Sequence, residues 1–494
     1  YGEGIRGEIG IYVSDEECYR YLPTVMVGTI DKLAVLAHNT RFAAYFGAHR
    51  YFCPDHGFTR ERKCGHKRIV PKGDDFDAVE CGITSKSKPL ATREVPTMRD
   101  PGFPLLIQDE LHLLRESLGN FDAHYETTLS ALQVSYKGRA PKVLAATATI
   151  KEFEQHVHNL YMRRARRFPS PGATKGESFY ARRKKDPETN TPLVRRWFAG
   201  VLPISRSNMA SRCAAEISSR FLDQVDQWRE RLAKHDPALL DALRLTPERA
   251  GLALAYLERH LNTDLVYVNS KRSITEIQRF MEELNEIKDV ERHHAVLDGE
   301  STLDAILGAI HHVERKTADD PGRELLATNV VSHGVDIAEL NFMVVAGWPT
   351  STAEYIQASA RSGRVHPGIV ISVLSPSKLF ETNVFLNFSD YHFFLDGLVD
   401  SVPINRFAPN ILERTLPGVM SAVILNWASH QAGWGDDIDY SMKGLKAALC
   451  AGPHAREKIQ KVVMLALEVP ATLQHEFDPR VLADFHRVLH EQVK

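Results

Sequence analysis

Residues Leu105 to Leu114 read LLIQDELHLL. An apolar run of strand length is followed at once by Asp109, Glu110 and His112, and burying such charge without partners is too costly to be accidental. A buried strand that ends in carboxylates delivers them to the carboxyl edge of a parallel sheet, where open α/β folds bind their ligands. The stretch is therefore a candidate metal-phosphate site. Asp109 would hold a divalent cation through its water shell. Glu110 would orient or deprotonate an attacking water. Read alone, the four letters DELH suit a helix N-cap and its first-turn carboxylate better than a site.

Working outward, PKVLAATATI (Pro141 to Ile150) reads as a second buried strand, separated from the first by a helical stretch. Upstream, TVMVGTI (Thr24 to Ile30) reads as a short apolar strand and DKLAVLAHNTRFAAYF as helix. Residues 1–150 thus read as one α/β domain, interrupted at about 49–103 by a polar segment rich in Gly, Pro, Cys and His that looks inserted. Downstream, LVYVNS, HHAVLD, ELLATN, FMVVAG and GIVISVLS recur at spacings that leave room for helices, which predicts a second parallel-sheet domain over 263–375. Residues 151–262 form a connecting insertion, and 376–494, with stretches such as VMSAVILNWASHQ, read as mainly helical.

Composition narrows the classes of function. With 494 residues, 43% hydrophobic and 25% charged, the chain is ordinary globular material of several domains. A net charge of -2 means that a polyanion must be met by local basic patches, not by the field of the whole molecule. One such patch exists: between Arg163 and Arg196 lie RRARR, ARRKK and VRR, interleaved with Phe168, Phe179, Tyr180 and Trp197. That mixture suits phosphates and stacked bases; a solvated loop is the competing reading. No apolar run is long enough to span a bilayer, so no membrane partner is expected.

Six cysteines in so long a chain do not make a disulfide scaffold, which points to a reducing cytoplasm. Five residues of the inserted segment, Cys53, His56, Cys64, His66 and Cys81, are candidate zinc ligands, because thiolates and imidazoles suit a structural zinc ion. Their spacing is not a paired CxxC, and unmetalled cysteines are the alternative.

The strongest signal is the order of the motifs. DELH is followed by TAT at the end of the next strand, then by VYVNSKR, ATNVVSHGVDI and, from Gln357 to Arg364, QASARSGR. In this order they resemble the superfamily-two helicases, whose motor is a pair of RecA-like domains with nucleotide bound between them. The resemblance runs from about Thr24 to Leu374, and it implies ATP and Mg2+ as cofactors. By it, Asp109 and Glu110 serve the metal and the water, with His112, Gly334, Asp336 and Gln357 at the nucleotide. Thr147 and Thr149 couple hydrolysis to movement, Thr29, Ser270, Lys271 and Thr328 contact nucleic acid, and Arg361 and Arg364 act as arginine fingers. Planar, permanently charged guanidinium groups suit that last role. The fold class that follows is α/β, two RecA-like parallel-sheet domains with insertions and a helical carboxyl-terminal region.

Two departures stand out. The usual Gln-Arg-x-Gly-Arg appears here as Gln357-Ala358-Ser359-Ala360-Arg361, with Ala358 in place of its first arginine, while both finger arginines, Arg361 and Arg364, are present. Nothing in the chain reads GxxxxGK[ST], the loop whose lysine and backbone cradle phosphates. Together with Tyr1 in place of Met, this leads to the expectation that the first RecA-like domain is incomplete and that the chain is the carboxyl-terminal part of a larger protein. A narrower resemblance, carried by IQDELHLLRESLGNFDAHYE, FPSPGATKGESFYA, VVAGWPTSTAEYIQASAR and NFSDYHFFLDGLVDSVPINRFAPN, is to the DrmA helicases of DISARM anti-phage systems. It implies a DNA-engaging ATPase of bacterial defence acting with a DrmB-like partner. The alternative is a nucleic-acid-binding scaffold on a degenerate, catalytically silent motor fold.

Overall fold

The computed structural model describes residues 10–53, 56–59, 67–72, 75–80, 93–147, 151–170, 172–173, 177–190, 193, 195–204, 209–290, 292–314, 323–328, 340–400, 404–430 and 453–468. They gather into two compact α/β units. The first draws on residues within 1–147, 152–166 and 402–494, and the second on those within 148–151 and 167–401.

In the first unit the TVMVGTI stretch is not a strand. No described strand pairs with it, and Val25 and Val27 are exposed; without a ladder partner its backbone groups are left to water. The helical reading of the next stretch holds in short pieces, Asp31–Ala34 and the tighter turns Val35–Ala37 and Thr40–Phe46. The inserted segment is built of small hairpins. Strands β1 (Tyr51–Cys53), β2 (Gly57–Thr59) and β5 (Arg93–Glu94) form one antiparallel sheet, and β3 (Lys67–Lys72) and β4 (Asp75–Glu80) form another.

Strands β6 (Leu105–Gln108) and β7 (Lys142–Ala145) pair in parallel, joined by the long helix Glu116–Ser135. Two side chains fix where these strands begin. The Gln133 amide donates to the Phe103 carbonyl at 3.0 Å and accepts from the Phe103 N–H at 2.9 Å, just ahead of β6. Gly102 makes room for it: its φ is +99°, and a Cβ there would lie 2.2 Å from Gln133. Arg163 donates to the Pro141 carbonyl, just ahead of β7, and at 3.0 Å to Ser130 Oγ on the same helix. The two strands were expected to be buried and are not: Leu105, Ile107 and Leu144 are 43%, 74% and 48% exposed. A central strand is buried by neighbours on both edges and cover on both faces. Among the described residues this sheet has two strands, and only Leu106 packs into the first unit's core.

That core joins the helices Glu116–Ser135, Pro409–Asn426 and Pro453–Leu467 with an aromatic group of Tyr19, Phe42, Tyr45 and Phe46. Arg406, 2% exposed, ties it together. Its guanidinium donates to the carbonyls of Asn159 (3.3 Å), Leu160 (3.2 Å) and Leu467 (3.3 Å) and to Thr127 Oγ1 (2.6 Å), while its own carbonyl lies 2.8 Å from His124 Nε2. Burial pulls its pKa down to about 10. Removing the guanidinium strands several buried acceptors at once, so Arg406→Met should destabilise the first unit by roughly 3–5 kcal/mol. Denaturant unfolding of the variant checks this; a loss under about 1 kcal/mol would be that of an ordinary surface arginine.

The second unit is a six-stranded sheet in the order β10-β11-β9-β12-β13-β8, with every pair parallel. The strands are β8 (Arg196–Val201), β9 (Thr263–Val268), β10 (His293–Leu297), β11 (Arg323–Ala327), β12 (Phe342–Ala346) and β13 (Gly368–Val373). Strand β9 is central and wholly buried. Its Leu265 and Tyr267 enter one core, with Met343, Trp348 and Tyr355, and its Val266 and Val268 enter the other, with Ala214, Ile274 and Ile277 from two helices. A sheet covered on both faces is why these segments read as continuous apolar runs. Five of the strands were legible. The sixth, β8, begins at the end of the basic stretch, where VRRWFAGV reads first as charge.

Candidate functional site

Asp109 and Glu110 emerge at the carboxyl end of β6, beside the carboxyl end of β7. The Ala146 N–H donates to the Gln108 carbonyl at 2.8 Å, and the Leu111 N–H to the Ala146 carbonyl at 3.0 Å, so the two strand exits are laced together. The Glu110 N–H donates to Asp109 Oδ1 at 2.9 Å. Glu110 itself has φ +49°, the left-handed region that non-glycine residues seldom adopt. Strain of that kind costs on the order of 1–3 kcal/mol. Here it turns the chain sharply from strand into the short helix Leu111–Leu113 and leaves the Glu110 carboxylate 42% exposed.

His112 links the residues around it. It is 7% exposed, and its Nδ1 lies 3.4 Å from Glu110 Oε2 and 3.3 Å from Thr147 Oγ1. The candidate water-activating carboxylate and the hydroxyl that follows β7 therefore meet at one imidazole nitrogen. Asp109, Glu110, His112 and Thr147 are thus brought together; Thr149 lies outside the described residues.

A magnesium ion fits the carboxylates in one way only. Mg2+ keeps most of its waters and takes one or two protein carboxylates together with substrate phosphates. Among the described residues no group of three or more His, Cys, Asp or Glu could hold a metal by itself. Asp109, exposed at a strand end, suits a cation that arrives with a nucleotide and not a resident structural ion. The zinc candidates are only partly in view. Cys53 Sγ is 3.6 Å from His56 Nδ1, but Cys64, His66 and Cys81 lie outside the described residues, and a structural zinc needs four ligands.

In the second unit the expected nucleic-acid contacts sit at the carboxyl edge of the sheet. Ser270 Oγ accepts from the Ser273 N–H at 3.2 Å and so caps the helix Lys271–Lys288. Lys271 pairs with Glu300 and, at 3.6 Å, with Asp298; the Glu300 carboxylate chiefly raises its pKa. Thr328 is 8% exposed, with its N–H on the Leu297 carbonyl at 3.1 Å. In the first unit Thr29 is exposed on the coil stretch. Gly334 and Asp336 fall outside the described residues. Gln357 lies half-buried on the helix Thr352–Ser359, which runs from the carboxyl end of β12 back to the amino end of β13. The turn at 360–367 follows, carrying a half-buried Arg361 and an exposed Arg364.

The basic stretch divides into two kinds of residue. Arg163 is spent on Pro141 and Ser130, and Arg195 and Arg196 are spent on backbone carbonyls of the 360–367 turn. Arg164, Arg166, Arg167, Arg182, Arg183, Lys184 and Lys185 are exposed. The same stretch carries four exposed rings, Phe168, Phe179, Tyr180 and Trp197, and Phe168 and Phe179 each lie close to Tyr180, at 5.0 and 5.1 Å between centroids. Charge runs alone could not separate the structural arginines from the exposed ones, because the separating feature is a carbonyl far away in sequence.

In its α/β architecture and its ordered motifs the chain is similar to the superfamily-two helicases. Residues 251–366 match the family model described as helicase conserved C-terminal domain. The chain is 30% identical over 425 residues to DISARM protein DrmA of Bacillus paralicheniformis, covering 84% of this chain and 35% of that protein. It therefore spans about a third of the length of that relative. Among solved structures it is similar to the DUF1998 helicase MrfA bound to DNA, at 18% identity over 65% of this chain and 35% of that one, with a TM-score of 0.44. It is also similar to Mycobacterium smegmatis helicase Lhr bound to ssDNA and AMP-PNP, at 14% identity over 73% and 38% of the two chains, with a TM-score of 0.39. No described helix is long and apolar enough to cross a membrane.

Proposed function

We propose that the chain is part of an ATP-driven DNA helicase or translocase of a bacterial anti-phage system of the DISARM kind, working with a DrmB-like partner in the cytoplasm. The observation that carries the proposal is the joining of Asp109, Glu110, His112 and Thr147 at the exits of two adjacent parallel strands. Asp109 would hold Mg2+ with its nucleotide, and Glu110 would orient the attacking water. His112 would hold Glu110 against Thr147, so that loss of the terminal phosphate is felt beyond β7. Arg361 and Arg364 would meet the charge that grows on the transferring phosphoryl group. The mechanism requires a phosphate-binding loop, which these 494 residues do not contain. The similarity to DISARM protein DrmA supports the defence role, and DNA as the substrate is proposed from the helicase motif resemblance of the sequence.

The exposed basic and aromatic stretch is the part of the proposal most readily tested. Replacing Arg164, Arg166, Arg167, Arg182 and Arg183 together with Gln should weaken DNA binding and flatten its salt dependence, by a slope of about 0.7–0.9 for each phosphate that is no longer neutralised. Arg163 is left out because its loss would act through folding. Affinity titrations at several salt concentrations make the measurement, and an unchanged slope would assign the stretch to solvent or to a protein partner.

A further inference from the structure

The 360–367 turn is held by two neighbouring arginines that no sequence motif singles out. Arg196 opens the edge strand β8, paired in register with Gly368 at the start of β13. Its guanidinium bridges two carbonyls of the turn, with Nε on Ser362 at 2.6 Å and Nη2 on Ala360 at 3.1 Å. Arg195 takes the other side, with Nη1 on the carbonyls of Val365 (2.8 Å) and Arg364 (3.3 Å). The Arg195 carbonyl in turn accepts from the Gly368 N–H at 2.8 Å. The backbone around Arg361 and Arg364 is therefore gripped at four carbonyls by a pair of planar donors, a geometry a lysine cannot copy. Gly363, at φ +73°, lets the turn lie directly on β8; a Cβ there would sit 2.7 Å from the Arg195 carbonyl oxygen.

We infer that Arg195 and Arg196 are positioning residues, which preorganise the backbone of the arginine-finger turn so that Arg361 and Arg364 are presented in one geometry. The inference rests on the proposed function only for what the turn then does. Two guanidinium groups spent on one short turn, at the edge of a sheet already joined by its own ladder, are more than strand pairing requires. The arrangement fits a turn that must hold its shape under load. Arg196 also stands close enough to Arg364 for the two charges to be felt, Arg364 adding to burial in lowering the Arg196 pKa.

The test is Arg196→Met in the intact protein, followed by two readings. Backbone amide exchange across residues 361–365 should quicken by about tenfold or more, because the turn loses charge-assisted bonds of the stronger class. Unchanged exchange would overturn the clamp whether or not the protein hydrolyses ATP. In steady-state assays the variant should lose about tenfold or more in kcat with little change in KM for ATP, since misplacement of a reacting group by an ångström is enough for such a loss. Arg196→Lys should recover only part. In an Arg364→Ala background, Arg196→Met should cost little further, because its effect passes through the finger it places. Additive losses, or full turnover in Arg196→Met alongside a dead Arg364→Ala, would overturn the positioning role and leave the motor reading standing. Normal turnover in Arg361→Ala and Arg364→Ala would contradict the motor reading itself, while amide exchange would still decide the clamp.

Discussion

Arg364→Ala should reduce DNA-stimulated ATP hydrolysis by about a hundredfold or more, the scale on which removing one charged group from a transition state is felt, with a smaller loss of ATP affinity. The same is expected of Arg361→Ala. In a motor whose active site is shared between two RecA-like domains, nucleotide binding rests mostly on one domain, and the other answers the charge that grows as the phosphoryl group moves. If Arg361 and Arg364 serve as fingers of this kind, their loss is expected to act on turnover more than on binding. Lysine should rescue either position poorly, because a point charge cannot reproduce the planar fork. The measurement is steady-state ATPase with and without DNA, alongside nucleotide binding, on the intact protein. Near-normal turnover in both alanine variants would reduce SARSGR to a structural turn.

Glu110→Gln should cost even more in hydrolysis, roughly 10²–10⁴-fold, the range expected when a general base is removed, while nucleotide and DNA binding stay close to normal. The substitution keeps the side-chain size and retains Asp109 for the metal. It also leaves a non-glycine residue in the left-handed backbone of position 110, so the strain is common to both proteins. A drop in turnover then reports the carboxylate and not the fold. His112 touches the same carboxylate, and its loss should act through Glu110. Wild-type turnover in Glu110→Gln would remove that residue from the mechanism.

How far the sequence could be read depended on which physical signal carried each element. Strand β9 was legible because a parallel strand buried on both faces must be apolar throughout, and LVYV is. DELH stood out only by its company, since alone it reads as a helix N-cap, and the structure adds what spacing could not supply, the meeting of His112 with Thr147 across 35 residues. TVMVGTI misled because alternating apolar residues report a tendency to extend and not the presence of a partner to pair with. LLIQ and KVLA are strands, as expected, yet they stand exposed, since burial belongs to the neighbours of a strand and not to the strand itself.

The basic stretch was the most deceptive. Seven exposed cations and three structural arginines carry the same charge in the sequence, and Arg163, Arg195 and Arg196 are set apart only by the carbonyls of Pro141, Ala360, Ser362 and Val365. Arg406 escaped notice for a related reason. A lone arginine in INRFAPN gives no hint that the ends of two helices, at Leu160 and Leu467, converge on it.

The central claim is that Asp109 and Glu110 belong to a working motor. The most direct test is ATP hydrolysis by the purified intact protein, titrated with DNA in the presence of Mg2+. The motor reading predicts hydrolysis that rises with DNA and disappears in Glu110→Gln, with nucleotide binding retained. DNA binding with no ATP turnover at any DNA concentration would contradict it, and would make this fold a nucleic-acid scaffold.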